Sequence, residues 1–213
     1  MRSFLKWGMG MQVENAEVLE GFSQAILVAN HNSHLDTMGL LTLLNDQWLS
    51  NLRPVAARDY FAANKIKKWY YETLFNLLLV TRKRENRLPG ENPIKSMVEV
   101  LDQGQSLLIF PEGTRGKPNV MESFKHGVSK VIQARPDVPV IPVFIDNSGM
   151  VLPGGSTLPL PFQFRIRFGS PRFLKPESTD QLTEKLYQAI IELKPEPVTW
   201  ENPFQHLSEK PIL

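Results

Sequence analysis

Apolar residues fall in short, closed runs along this chain. Ala25–Ala29, Pro54–Ala57, Leu77–Thr81, Leu107–Phe110, Val138–Ile145 and Phe164–Phe168 are brief, rich in branched side chains and bounded by polar residues, Gly or Pro. That pattern predicts strands buried on both faces. Between them the pattern turns helical, near 36–45, 59–75, 92–103, 123–134 and 178–193. In the last of these, Leu182, Leu186, Ile190 and Leu193 recur at spacings of four, four and three. Alternating strands and helices predict an α/β fold, a single domain with a central, mostly parallel mixed sheet flanked by helices.

Three stretches depart from the pattern. Phe164-Arg165-Ile166-Arg167-Phe168 alternates apolar with basic, which predicts an outer or antiparallel strand with one solvated face. Two prolines inside Val138-Pro139-Val140-Ile141-Pro142-Val143 predict a kinked strand beside a pocket. Pro153–Pro161 reads as a loop, and the proline-bearing tail from Pro195 to Leu213 as irregular. The whole chain, 1–213, is expected to form one domain with its motif-bearing core at about 25–145.

Composition narrows the function classes. Hydrophobic residues make up 42% and charged residues 22%, as in a folded globular protein. Without cysteine there are no disulfides, no thiolate zinc ligands and no thiol nucleophile. No stretch approaches the roughly 18–20 apolar residues that span a bilayer, and the N-terminus lacks the apolar core of a secretory signal. A soluble or peripheral protein is expected. Net charge is +2, but the segment from Arg58 to Arg87 carries eight Lys/Arg against three acids. Such a local basic excess calls for an anionic partner: phosphate, nucleotide or membrane surface.

Chemistry gathers where the apolar runs stop. Ala25–Ala29 breaks off into Asn30-His31-Asn32-Ser33-His34-Leu35-Asp36, which places a histidine at a strand end, where open α/β sheets build their sites. On one helix, positions 31 and 36 would point about 140° apart. With His31 in the turn and Asp36 in the first helical turn, capped by Ser33, the two side chains meet. Two readings fit: Asp36 caps the helix and nothing more, or the pair transfers protons. His31, His34 and Asp36 also lie close enough in sequence to suggest a metal site, although no second ligand cluster accompanies them.

Leu107–Phe110 likewise stops at Pro111-Glu112-Gly113-Thr114-Arg115. Here the choice is between a turn with a local Glu112–Arg115 ion pair and an anion grip by Arg115, whose guanidinium suits phosphate bidentately. Arg82, leaving Leu77–Thr81, is either a solvated charge or the second jaw of such a grip. There is no G-x-S-x-G elbow, no P-loop and no G-x-G-x-x-G, so neither an α/β-hydrolase nor a nucleotide fold is supported. No nucleic-acid motif accompanies the basic segment.

Taken in order, Asn30-His31 through Asp36, Val80-Thr81-Arg82, Phe110-Pro111-Glu112-Gly113-Thr114-Arg115, Phe124-Lys125-x-Gly127 and Val140-Ile141-Pro142-Val143 resemble the blocks of the glycerol-phosphate/lysophosphatidate acyltransferase family. The likeness covers roughly Ala25 to Ile145. Asn76 stands where that family usually opens its arginine block with glycine, and Leu79-Val80-Thr81 replaces the usual Phe-Ile and Asp.

The resemblance implies an O-acyltransferase that moves a fatty acyl group from acyl-CoA or acyl carrier protein to a lysophosphatidate-like hydroxyl, without a cofactor. His31 would be the general base and Asp36 its orienting partner. Arg82, Glu112, Gly113, Thr114 and Arg115 would hold the acceptor phosphate. Backbone N–H groups near Gly113 or after Ser33 would face the oxyanion, and Lys125 either assists with charge or, as the favoured reading, is a surface lysine. Insoluble substrates imply a cytoplasmic protein peripheral at the inner membrane face. Tyr60–Tyr71, with Lys65, Lys67, Lys68 and Trp69, reads as an interfacial helix or as an ordinary helix packed on the sheet. A non-catalytic lipid- or acyl-CoA-binding module of the same fold is the alternative, and a metal-dependent hydrolase using His31, His34 and Asp36 a third reading.

Overall fold

Strand β2 (Ile26–Ala29) is buried at every position, as a wholly apolar run of this length requires, and it lies at the middle of the sheet. The computed structural model describes residues 11–58, 76–82, 84–114, 116, 120–148 and 165–195. Among these the remaining strands are β1 (Gln12–Glu14), β3 (Leu52–Ala57), β4 (Leu78–Val80), β5 (Ser106–Ile109), β6 (Val140–Asp146) and β7 (Arg165–Phe168). They form one seven-stranded sheet in the order β1-β7-β6-β2-β5-β3-β4. All neighbours pair in parallel except β6 and β7, so β1 and β7 run against the other five. This is the expected mostly parallel mixed sheet.

Side chains alternate across β2, and the two faces carry separate cores. Leu27 and Ala29 join Leu108, Ile141 and Val143 beneath helices α1 (His34–Leu43) and α2 (Asp46–Asn51), where Leu40, Leu44 and Trp48 pack. Ile26 and Val28 face the other way, with Leu107 and Ile109, under α3 (Pro93–Asp102), α4 (Gly127–Ala134) and α5 (Thr179–Ile191). In α5 the predicted stripe supplies Leu182, Leu186 and Ile190 to that core.

The differences from expectation are local. Strand β1 has no apolar run and exists because Gln12–Glu14 pair with Arg165–Arg167 of β7. The basic face of β7 is therefore matched by charge, with Arg167 Nε donating to Glu14 Oε2 at 2.6 Å, while Ile166 and Phe168 are buried. The helix expected over 36–45 ends at Leu43, and Asn45 opens α2 by accepting from the Trp48 N–H at 3.0 Å. The helix expected from 123 begins at Gly127, because the Lys125 N–H is drawn to the carbonyl of Pro111 at 2.9 Å. Asn76, standing in for glycine, adopts a left-handed φ of 52°, which asparagine tolerates better than most residues. The expected helix 59–75, the loop 153–161 and the tail beyond residue 195 lie outside the described residues.

Pro142 sits inside β6, yet it is not beside the groove described below, whose lining contains neither Pro139 nor Pro142 among the described residues. Its ring instead meets Gly169, which follows β7. The Gly169 N–H donates to the Pro142 carbonyl at 2.8 Å, and a Cβ on Gly169 would lie 2.8 Å from Pro142 Cγ. Val143 pairs with Phe168 and Val140 with Arg172, so the opposing chain has one extra residue there, a bulge that accommodates a proline without an N–H.

Candidate active site

Strands β2 and β5 are hydrogen-bonded neighbours, Val28 opposite Ile109, so the two blocks that follow them emerge side by side at one sheet edge. Asn30 fixes the first block. Its side chain donates to the Ile145 carbonyl at 2.8 Å and accepts the Ile145 N–H at 2.7 Å, tying the end of β2 to the end of β6.

His31 then turns out of the sheet. Its Nδ1 lies 2.8 Å from Asp36 Oδ2, and that same oxygen accepts the N–H groups of Asn32 at 2.7 Å and Ser33 at 2.9 Å. Ser33 and Asp36 form the reciprocal cap expected at the start of α1. Both readings of Asp36 hold together: one carboxylate caps the helix and grips the ring. Asp36 is fully buried. Because a carboxylate accepts, Nδ1 carries the ring proton and Nε2 is left as the acceptor. The ring also stacks on Phe110, with centroids 4.1 Å apart.

Glu112 has a different place from the one expected. It is 2% exposed, and both oxygens are used internally: Oε1 accepts the His31 N–H at 2.7 Å and Oε2 the Glu122 N–H at 2.9 Å. Burial pushes its carboxyl above the ordinary range, against the pull of those two N–H donors. An anionic side chain so engaged does not ligate a phosphate. Glu112 acts instead as a strut beneath His31, whose carbonyl is held in turn by the Gly116 N–H at 3.0 Å. Three backbone N–H groups nearby are already used. The Gly113 N–H donates to the Phe110 carbonyl at 3.0 Å, and the Asn32 and Ser33 N–H groups belong to Asp36.

His31 opens on a groove of about 510 Å³. Val55, Val80, Met97 and Ile109 give it an apolar interior, and Arg82, Arg87, Thr114 and Lys125 stand among its polar lining. Among the described residues that lining includes three Lys/Arg and no carboxylate. Arg82 reaches the Gly113 carbonyl through Nη1. Arg87 braces the turn by donating to the carbonyls of Thr81 and Arg82, each at 3.1 Å. Thr81, in the place of the usual Asp, donates to Glu91 at 2.7 Å, and that bond is the main cause holding the Glu91 carboxyl below its ordinary range.

The structure thus brings His31, Asp36, Arg82, Gly113 and Thr114 to one place and Glu112 just beneath it. Arg115 and the segment with Lys65, Lys67, Lys68 and Trp69 lie outside the described residues. No three His, Asp or Glu side chains gather as a metal site among the described residues. Lys125 is exposed, as a surface lysine is, and it also lines the groove. Reading the sequence missed two contributors: Phe110 stacks on the His31 ring, and Asn30 pins the end of β2 from which His31 turns. Only Asn30 had a local signal, its place immediately before His31.

A histidine held by a buried carboxylate, where the central parallel strands end and above an apolar groove with a cationic rim, gives this α/β fold an H-x4-D pair. The sequence comparisons agree. A family model described as Acyltransferase matches residues 10–146, and the chain belongs to that family. It is 31% identical over 67% of its length to the chloroplastic 1-acyl-sn-glycerol-3-phosphate acyltransferase LPAT1 of Arabidopsis thaliana, covering 38% of that protein. It is 29% identical over 66% of its length to 1-acyl-sn-glycerol-3-phosphate acyltransferase alpha of Mus musculus, covering 47%. The chain therefore spans less than half the length of these relatives. The same fold is seen in the crystal structure of the 1-acyl-sn-glycerophosphate acyltransferase PlsC from Thermotoga maritima, with a TM-score of 0.68 at 21% identity over 90% of this chain and 74% of that one.

Proposed function

We propose that this protein is a 1-acylglycerol-3-phosphate O-acyltransferase, taking a fatty acyl group from acyl-CoA or acyl carrier protein. The observation that carries the reading is the His31–Asp36 pair at the mouth of an apolar groove. Its family membership and the names of its relatives support the same acceptor class.

In this reaction His31 Nε2 takes the proton of the acceptor hydroxyl as its oxygen attacks the thioester carbonyl. Asp36 keeps the ring in the productive tautomer and stabilises the imidazolium that forms. The tetrahedral intermediate collapses with cleavage of the C–S bond, and the imidazolium returns its proton to the leaving thiolate. The products are an ester and a free thiol, with no acyl-enzyme. General-base assistance of this kind supplies about 10²–10⁴-fold. The groove's apolar walls take the acyl chain, and Arg82, Thr114 and Arg115 meet the acceptor phosphate.

No helix among the described residues is long and apolar enough to cross a membrane. Both lipid tails nevertheless place the reaction at a bilayer surface, on the cytoplasmic side, with Lys65, Lys67, Lys68 and Trp69 as the contact. Flotation with anionic vesicles tests the contact: binding falls with salt and with removal of those lysines, and salt-insensitive or absent binding overturns it. The activity itself is tested by mass spectrometry of products from lysophosphatidate with each thioester. Phosphatidate forms with wild type and not with His31→Ala, and full activity of His31→Ala overturns the proposal.

A further inference from the structure

The groove holds an imbalance of charge that the His31–Asp36 pair does not explain. Among the described residues its lining includes Arg82, Arg87 and Lys125 and no Asp or Glu. Arg87 is occupied with the carbonyls of Thr81 and Arg82. Arg82 and Lys125 approach Gly113 together: Arg82 Nη1 donates to its carbonyl, and Lys125 lies across its Cα. A Cβ on Gly113 would fall 2.9 Å from Lys125 Nζ and 3.1 Å from its Cδ.

Lys125 is brought there by its backbone. Phe124 is buried and sits edge-on to Tyr187, the Lys125 N–H is bonded to the Pro111 carbonyl at 2.9 Å, and the Glu122 N–H is bonded to Glu112. The segment 122–125 is thereby stitched to the 111–113 turn at two points. Two cations converging on one glycine, with no carboxylate among the described residues of the lining, repel each other, and an anion between them relieves the repulsion.

We infer that Lys125 is a ligand of the acceptor's phosphate, facing Arg82 across Gly113, whose left-handed φ of 72° itself calls for glycine. The inference rests on the acyl-transfer reading for the identity of the ligand, but the anion site stands on its own geometry. A phosphomonoester carries up to two negative charges near neutral pH, which two flanking cations match.

The experiment titrates glycerol 3-phosphate into wild type, Lys125→Met, Lys125→Arg and His31→Ala, and measures lysophosphatidate turnover for the same four proteins. A charge-assisted contact predicts binding roughly 10- to 100-fold weaker in Lys125→Met. Lys125→Arg restores much of that loss, and His31→Ala binds like wild type. The KM for lysophosphatidate rises with the loss of binding in Lys125→Met, while kcat stays within a few-fold. Unchanged binding in Lys125→Met overturns the inference, as does failure of wild type to bind. A fall in kcat at constant KM also overturns it, because that outcome puts the ammonium at the reacting carbonyl. Lys125-dependent binding in a protein that turns over no lysophosphatidate leaves the anion site standing and removes the acyl-transfer reading instead.

Discussion

Asp36 Oδ2 lies 2.8 Å from His31 Nδ1 and accepts two backbone N–H groups as well, so three donors converge on one oxygen. An amide oxygen in its place can accept the same N–H groups but is neutral and does not stabilise the imidazolium that forms, and a carboxamide that turns its NH₂ toward the ring selects the wrong tautomer. Asp36→Asn is expected to lower kcat about 10³–10⁴-fold with KM for both substrates little changed, by the logic of a triad aspartate. Steady-state kinetics check it, and circular dichroism confirms that α1 is still capped.

Glu112 predicts a coupling between stability and pH. Its folded pKa is raised above the ordinary 4.5, so the fold binds this proton more tightly than the unfolded chain does. The contribution is fully present below pH 4.5 and is lost as pH rises through the raised value. Urea unfolding across this window is expected to show the stability of wild type relative to Glu112→Gln falling as pH rises. Glu112→Ala leaves two N–H donors without their acceptor and is expected to cost about 1–3 kcal/mol for each that stays buried, at neutral pH.

Met97 projects from α3 into the groove and is 5% exposed. Met97→Trp is expected to shorten the preferred acyl chain without changing the response to lysophosphatidate. Each methylene excluded forfeits about 0.8 kcal/mol, roughly fourfold in kcat/KM. Competition between thioesters of graded length, read by mass spectrometry, checks the shift.

Gly169 predicts a loss of stability with no loss of chemistry. An added methyl would lie 2.8 Å from Pro142 Cγ and 3.1 Å from Leu193 Cδ1. Gly169→Ala is expected to cost about 1–3 kcal/mol, as overpacking does. Pro142→Ala in the same chain should recover part of it, and thermal unfolding of both variants measures the coupling. The activity per folded molecule stays unchanged, since neither residue lines the groove.

The interior strands and the start of α1 were legible because their signals are local. Ala25–Ala29 is apolar throughout, and Ser33-x-x-Asp36 is a short-range cap. Strand β1 was not, since Gln12–Glu14 becomes a strand only when β7 arrives from more than 150 residues away. Helix α2 has six residues and buries only Trp48, too little for a period to show. Within the site, the contact between His31 and Asp36 was legible once Ser33 was read as the helix cap. Glu112 was misplaced because its partners are 81 and 10 residues distant, and only the folded chain reveals that its carboxylate points inward. Lys125 read as a surface lysine and is exposed; what its flanking sequence does not show is that Pro111 captures its N–H and sets it in the groove's lining.

The bond between Asn30 and Ile145 spans 115 residues. A growing polypeptide thus reaches Asn30 early but can seat it only once β6 has left the ribosome. Until then the end of β2 is held from the β5 side alone, by Glu112 and Gly116, and lacks its tie to β6. The seat of His31 is therefore completed only when more than two thirds of the polypeptide has been made.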